Sequence, residues 1–124
     1  ADGFPLLLIS RASLEDLNGR LDEPVSMERF RPNLEVEGCE PFAEDSWSRL
    51  EIAGVGFRVA KPCARCVITT VDPATGTLGR EPLRTLASYR REGSKVLFGQ
   101  NLIHDGSGTI RLGDEVRTWE ADRP

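Results

Sequence analysis

Cys66 is the residue whose type and setting come nearest to chemistry. It closes the run Lys61-Pro62-Cys63-Ala64-Arg65-Cys66 and precedes Val67-Ile68-Thr69-Thr70-Val71-Asp72-Pro73. A Cys-x-x-Cys pair commonly builds half a zinc site or a redox disulfide. In a thioredoxin-type protein the pair sits at a helix N-terminus, whose amides lower the thiol pKa. Here the second cysteine opens a β-branched run, which is strand vocabulary. Cys66 is therefore expected at the mouth of a strand, with the cation of Arg65 beside it and Pro62 stiffening the approach. A neighbouring cation favours the thiolate, the form that attacks electrophiles and ligates soft metals.

Arg29-Phe30-Arg31-Pro32-Asn33 is the second constellation. Arg31 offers a planar fork for a phosphate or carboxylate, and Asn33 offers both a donor and an acceptor to a heterocycle. The plainer reading, and by composition the commoner one, has both arginines solvated or paired with Glu28 and Glu35. A zinc reading would gather Cys39, Cys63, Cys66 and His104 as a Cys₃His set. Those four come from scattered segments, whereas zinc knuckles bring close-spaced pairs, so this reading is the weaker one. Cys39 reads as a small buried hydrophobe, His104 as part of a turn, and Glu40 to Asp45 as a solvated acidic loop. Gly99-Gln100-Asn101, between apolar runs, suits either a backbone approach to a ligand or a β-bulge.

The elements that must position these residues follow from periodicity. Phe4 to Ile9 reads as a buried strand. Leu14, Leu17 and Leu21 repeat at helical spacing behind Ser13-Leu14-Glu15-Asp16, so a helix is expected over about Leu14 to Arg20, capped by Ser13. Asn33 to Gly38 alternates as a half-buried strand. Trp47 to Ile52 and Gly56 to Ala60 form a pair around the Ala53-Gly54-Val55-Gly56 turn. Cys66 to Val71 is the next strand, ended by the turn Asp72-Pro73-Ala74-Thr75-Gly76. Pro82 to Arg91 reads as a second helix. Val96 to Phe98, Asn101 to His104, Thr109 to Leu112 and Val116 to Trp119 supply the remaining strands. The fold class expected is mainly β, a barrel or sandwich with peripheral helices.

The chain has 124 residues, a formal net charge of −4, 39% hydrophobic and 29% charged residues. That suits one folded domain with no general pull toward nucleic acid or membrane. No stretch approaches the roughly 18 apolar residues of a membrane span. Three cysteines and no signal-like segment favour a reducing cytoplasm. With Ala at position 1 and strand-like sequence by Phe4, the chain reads as the C-terminal portion of a longer protein.

Four ordered motifs together resemble a known family. They are Arg29-Phe30-Arg31-Pro32-Asn33; Cys63-x-Arg65-Cys66-Val67-Ile68-Thr69-Thr70-Val71-Asp72-Pro73-x-Thr75-Gly76; Glu81-Pro82-Leu83-x-Thr85-Leu86-x-Ser88-Tyr89-Arg90; and Leu97-Phe98-Gly99-Gln100. The likeness, from Phe4 to about Val116, is to the MOSC domain, the C-terminal domain of molybdenum cofactor sulfurases. Within it the chain is most similar to the branch of the mitochondrial amidoxime-reducing component and YcbX-like proteins.

The resemblance implies a MOSC-type β-barrel and a molybdenum–molybdopterin cofactor. By motif match Cys66 becomes the thiolate ligand of the metal and the catalytic residue, and Arg31, Asn33 and Arg65 become cofactor contacts. The residue after Gly99-Gln100 also lines the cofactor region in that branch; it is commonly aromatic there and is Asn101 here. Ala64 lacks the hydroxyl that a serine would offer at its position. The implied activity is reduction of N-hydroxylated compounds, with electrons from a separate reductase, since the chain has no flavin, nicotinamide or iron–sulfur fingerprint. The branch also carries an N-terminal β-rich domain that completes the pterin pocket, so this chain alone is expected to bind cofactor poorly and to be inactive. Two rival functions are a sulfur carrier, passing a persulfide from Cys66 or Cys63 to an acceptor, and a non-enzymatic β-barrel binding module.

Overall fold

The structure, a computed structural model, describes residues 6–65 and 79–120. In chain order these contain β1 (Leu6–Ser10), α1 (Arg11–Arg20), β2 (Leu34–Val36), β3 (Trp47–Ile52), β4 (Val55–Ala64), α2 (Leu83–Tyr89), β5 (Arg91–Glu92), β6 (Lys95–His104) and β7 (Val116–Glu120). The strands run β2-β1-β6-β4-β3-β7, with β5 added beside β6. Among the described strands only β1 and β2 are parallel, joined by the α1 crossover. The sheet curls into a half-barrel, in line with the mainly β architecture that the sequence predicts. Cys66 to Val71 and the Asp72-Pro73 turn lie outside the described residues.

Alternation along β1 explains why there are two cores. Leu8 joins Leu50, Ile52, Phe57 and Leu102 in one apolar cluster. Ile9, pointing the other way, joins Leu17, Phe30, Leu86, Val96 and Phe98 against the two helices. On β6 the same parity would send Val96, Phe98 and Leu102 to one face. They divide between the clusters because the strand bulges at Gly99. Between the pairs Ala64–Leu97 and Pro62–Gln100, β6 carries two residues against one on β4. The extra residue reverses the parity of everything after it. Gly99 has φ +92°, and a Cβ there would lie 2.9 Å from Ile9 Cγ1 and 3.2 Å from Leu8 O. Only glycine fits the position.

Several local expectations change. Helix α1 starts three residues earlier than expected, because Ser10 and not Ser13 is the cap: its Oγ accepts from the Ser13 amide at 3.0 Å. Ser13 is buried instead, donating its hydroxyl to Glu44 at 2.8 Å. The acidic Glu40 to Asp45 stretch is therefore not a solvated loop. Glu44 is 1% exposed and also accepts from the Ser10 amide. Asp45 takes Arg90 Nη2 and Gln100 Nε2, both at 2.7 Å. Strand β2 is only three residues long, and the two runs expected over Val96 to His104 are one bulged strand. Thr109 to Leu112 is not a strand. Arg111 and Asp114 exchange bonds across a turn of 2.6 and 3.0 Å, which leaves Leu112 wholly exposed.

Candidate functional site

The segment around Asn33 extends the β1–β2 pairing by one step beyond Leu34. Its backbone N–H donates to Leu7 O at 2.8 Å, and its side-chain Oδ1 accepts from the Leu7 amide at 2.7 Å. The side chain thus imitates a strand. Asn33 was expected to offer an acceptor and a donor to a ligand; the acceptor is committed to β1. Among the described residues its Nδ2 makes no hydrogen bond, so toward a ligand Asn33 is a donor.

On the other side of Leu7 stands Asn101, its antiparallel partner on β6, and beyond Asn101 stands Lys61 on β4. Asn33 and Asn101 therefore flank Leu7 in one cross-strand row, two strand spacings or about 10 Å apart. Lys61 ends that row with a cation. Neither its position nor the committed Asn33 acceptor is legible from motif spacing, because both depend on strand register.

Arg65 follows β4 directly. Its amide donates to Val96 O at 2.7 Å, its Nε to Phe98 O at 2.9 Å and its Nη1 to Phe30 O at 3.4 Å. Its guanidinium lies 5.1 Å from the Phe30 ring centroid, and that ring packs on Phe98 at 4.6 Å. Arg65 accordingly clamps the end of β4 to β6 and to the residue before Arg31. Arg31 itself is exposed and has φ +51°, a left-handed conformation that non-glycine residues rarely hold. A Phe30 carbonyl fixed from the far side by Arg65 is one restraint on that backbone. The structure brings Arg65 beside the Arg31–Asn33 segment, 32 residues earlier in the chain, through the Phe30 carbonyl and the cluster on which Leu7 packs.

An open cavity of about 370 Å³ adjoins this neighbourhood, lined by Met27, Glu28, Arg31, Pro32 and Glu35. Glu28 and Glu35 make it mixed in charge. Cys66, assigned as metal ligand and catalytic residue from the sequence, lies outside the described residues. Cys63 is half-buried, its thiol 3.8 Å from Ala64 O. Cys39 packs at the margin of the inner cluster, where burial and then the nearby Glu44 carboxylate push its thiol pKa up. Among the described residues no three His, Cys, Asp or Glu side chains gather as a metal set. His104, at the end of β6, reaches Gly106 O at 3.0 Å.

Residues 1–117 match the family described as MOSC domain. The chain belongs to the MOSC domain family. It is 46% identical over 125 residues to "Mitochondrial amidoxime-reducing component 1" of Homo sapiens, covering 94% of this chain and 37% of that protein. It is 48% identical over 124 residues to "Mitochondrial amidoxime reducing component 2" of Rattus norvegicus, covering 93% and 37%. Component 1 of Xenopus laevis is 41% identical over 124 residues, with 93% and 36% covered. The chain spans little more than a third of the length of these curated relatives. Their names say mitochondrial, so the cytoplasmic expectation draws no support from them. Among the described residues no helix is long and apolar enough to cross a membrane.

The donors of this MOSC domain suit an anionic, acceptor-rich group of the kind a phosphorylated pterin presents. Arg31 has donors only, and Asn33 is left with donors only. Arg65 differs: its Nε and Nη1 are turned to main-chain carbonyls.

Proposed function

We propose that this MOSC domain is the molybdenum-cofactor-binding part of an oxidoreductase that reduces N-hydroxylated compounds, with the Cys66 thiolate as a ligand of molybdenum. The observation that carries the reading is that Arg65 binds the carbonyl before Arg31, while Asn33 pairs with Leu7, which packs on the same Phe30–Phe98 cluster. Similarity to proteins named amidoxime-reducing components supports the substrate class. When bound, the molybdopterin-held molybdenum would supply the two-electron chemistry that cleaves an N–O bond, two protons releasing the oxygen as water.

The chain's residues have distinct parts in this reading. Arg31 binds the anionic end of the pterin by a charge-assisted fork. Asn33 donates Nδ2 to a ring or side-arm acceptor while its Oδ1 stays on β1. Arg65 orients: it holds the carbonyls of Phe30 and Phe98 and so sets the spacing between the Arg31 segment and the end of β4. Asn101 borders the same row across Leu7, with the polarity to hold a small hydrophilic substrate or a water. A β-rich domain preceding this one in the full protein completes the pocket, and a separate reductase delivers the electrons.

The test is expression of the domain joined to the part that precedes it in its gene. Molybdenum and pterin are then measured for wild type, Cys66→Ser and Arg31→Ala. The reading expects molybdenum near one per protein in wild type, loss of metal in Cys66→Ser, and loss of both in Arg31→Ala. Equal metal in wild type and Cys66→Ser removes Cys66 as the ligand. A persulfide on Cys66 in protein without molybdenum gives the sulfur-carrier function instead.

A further inference from the structure

Among the described residues β2 and β7 end the sheet, and residues of both line one open seam. Two adjoining cavities of about 560 and 340 Å³ occupy it. Both are lined by Glu35, Val36, Leu112, Gly113, Asp114 and Val116. The floor is apolar, with Ile52 and Ile110 continuing the inner cluster beneath it. The walls are acidic: Glu35, Glu37, Asp114 and Glu115 stand against Arg11 and Arg111. Arg11 is already engaged by Glu35 at 3.3 Å, and Asp114 Oδ2 by the Arg111 amide. Glu37 and Glu115 have no hydrogen-bond or ion-pair partner among the described residues. Leu112 stands fully exposed at the rim, one of three large exposed hydrophobics among the described residues.

We propose that this seam receives an extended basic segment of a partner protein, alternating apolar and Lys or Arg side chains, which adds a strand beside β2. Three observations support that occupant. Among the described residues no strand pairs with the outer side of β2, so its main-chain donors and acceptors there suit an added strand. A strand presents side chains to opposite faces with period two, so one row meets the Val36–Ile52–Ile110 floor while the other meets the walls. Those walls carry unbalanced carboxylates, which select cations. A second copy of the acidic seam would repel this one, which excludes self-association through the same edge.

The test uses the domain joined to the part that precedes it in its gene, and a labelled nonapeptide of alternating valine and lysine, read by fluorescence anisotropy and amide NMR shifts. Controls are the valine–glutamate and serine–lysine peptides and the double variant Glu37→Lys/Glu115→Lys. Expected are binding of the valine–lysine peptide alone, shifts confined to residues 34–37 and 110–116, and at least tenfold weaker binding by the double variant. The milder Glu37→Gln/Glu115→Gln protein replaces it if the reversal does not fold, and is expected to weaken binding about threefold. No binding, shifts elsewhere, equal binding of either control peptide, or indifference to the charge changes overturns the proposal.

Discussion

The Arg65 side of the sheet and the β2–β7 seam are built from different bonds. Around Arg65 the links run from side chains to main-chain atoms, part-buried from Arg65 to Phe98 O and Phe30 O and from Arg90 to Leu97 O, exposed between Asn33 and Leu7 N. On the β2 wall of the seam the link is an exposed ion pair, Arg11–Glu35. The first kind fixes backbone, because a buried acceptor that loses its donor costs about 1–3 kcal/mol. The second kind is worth about 0–1 kcal/mol and is screened by salt. One region of the molecule is preorganised, and the other is free to accept a new neighbour.

Breaking the rigid side is expected to have the largest effect. Gly99→Ala forces a Cβ into Ile9 and Leu8 at a left-handed φ, and about 3 kcal/mol of stability should disappear in urea unfolding. If Gly99→Ala is as stable as wild type, the bulge is not what divides the two cores. Arg65→Ala comes next: two carbonyls lose donors and the Phe30 ring loses its cation, costing about 2–3 kcal/mol by the same measurement. Arg65→Lys should recover only part of this, since a single ammonium cannot span both carbonyls. Asn33→Ala is expected to cost about 0.5–1.5 kcal/mol, and Asn33→Asp, which keeps the acceptor, less than half of that. A larger cost for Asp than for Ala would show that the amide donor, not Oδ1, holds the segment.

A pH measurement sharpens the comparison from the helical face. Burial, reinforced by the Asp16 carboxylate, pushes the Tyr89 hydroxyl up to about 12 from 10. The fold prefers the neutral phenol, so this contribution is complete below pH 10 and is lost as pH rises toward 12. Tyr89→Phe should flatten the decline of Tm over that interval; an unchanged slope assigns the decline to other groups. The smallest effect belongs to the seam. Arg11→Ala should shift stability by less than about 0.5 kcal/mol, and less still in 0.5 M salt.

What the sequence could disclose divides along the same line. Elements with a strong period, α1, α2 and the β3–β4 hairpin around Ala53 and Gly54, were legible because local chemistry sets them; both hairpin residues do have positive φ. The grouping of Arg31, Asn33 and Arg65 as cofactor contacts came from the family resemblance alone. Its working parts did not, because Asn33 spending its acceptor on Leu7 and Arg65 spending Nε on Phe98 O are facts of register. The Glu44 cluster was missed for a related reason. A carboxylate buried by Ser10 and Ser13, 34 and 31 residues away, has the same letter as one in solvent.

The Gly99 bulge makes β6 the common wall of both apolar clusters, with Phe98 on one side and Leu102 on the other. A strand shared in that way cannot loosen toward one cluster without withdrawing a wall from the other. The helical layer and the inside of the curl should therefore melt as one cooperative unit. Deuterium uptake would then be slowest along β6, with amides of both cores opening at the same free energy.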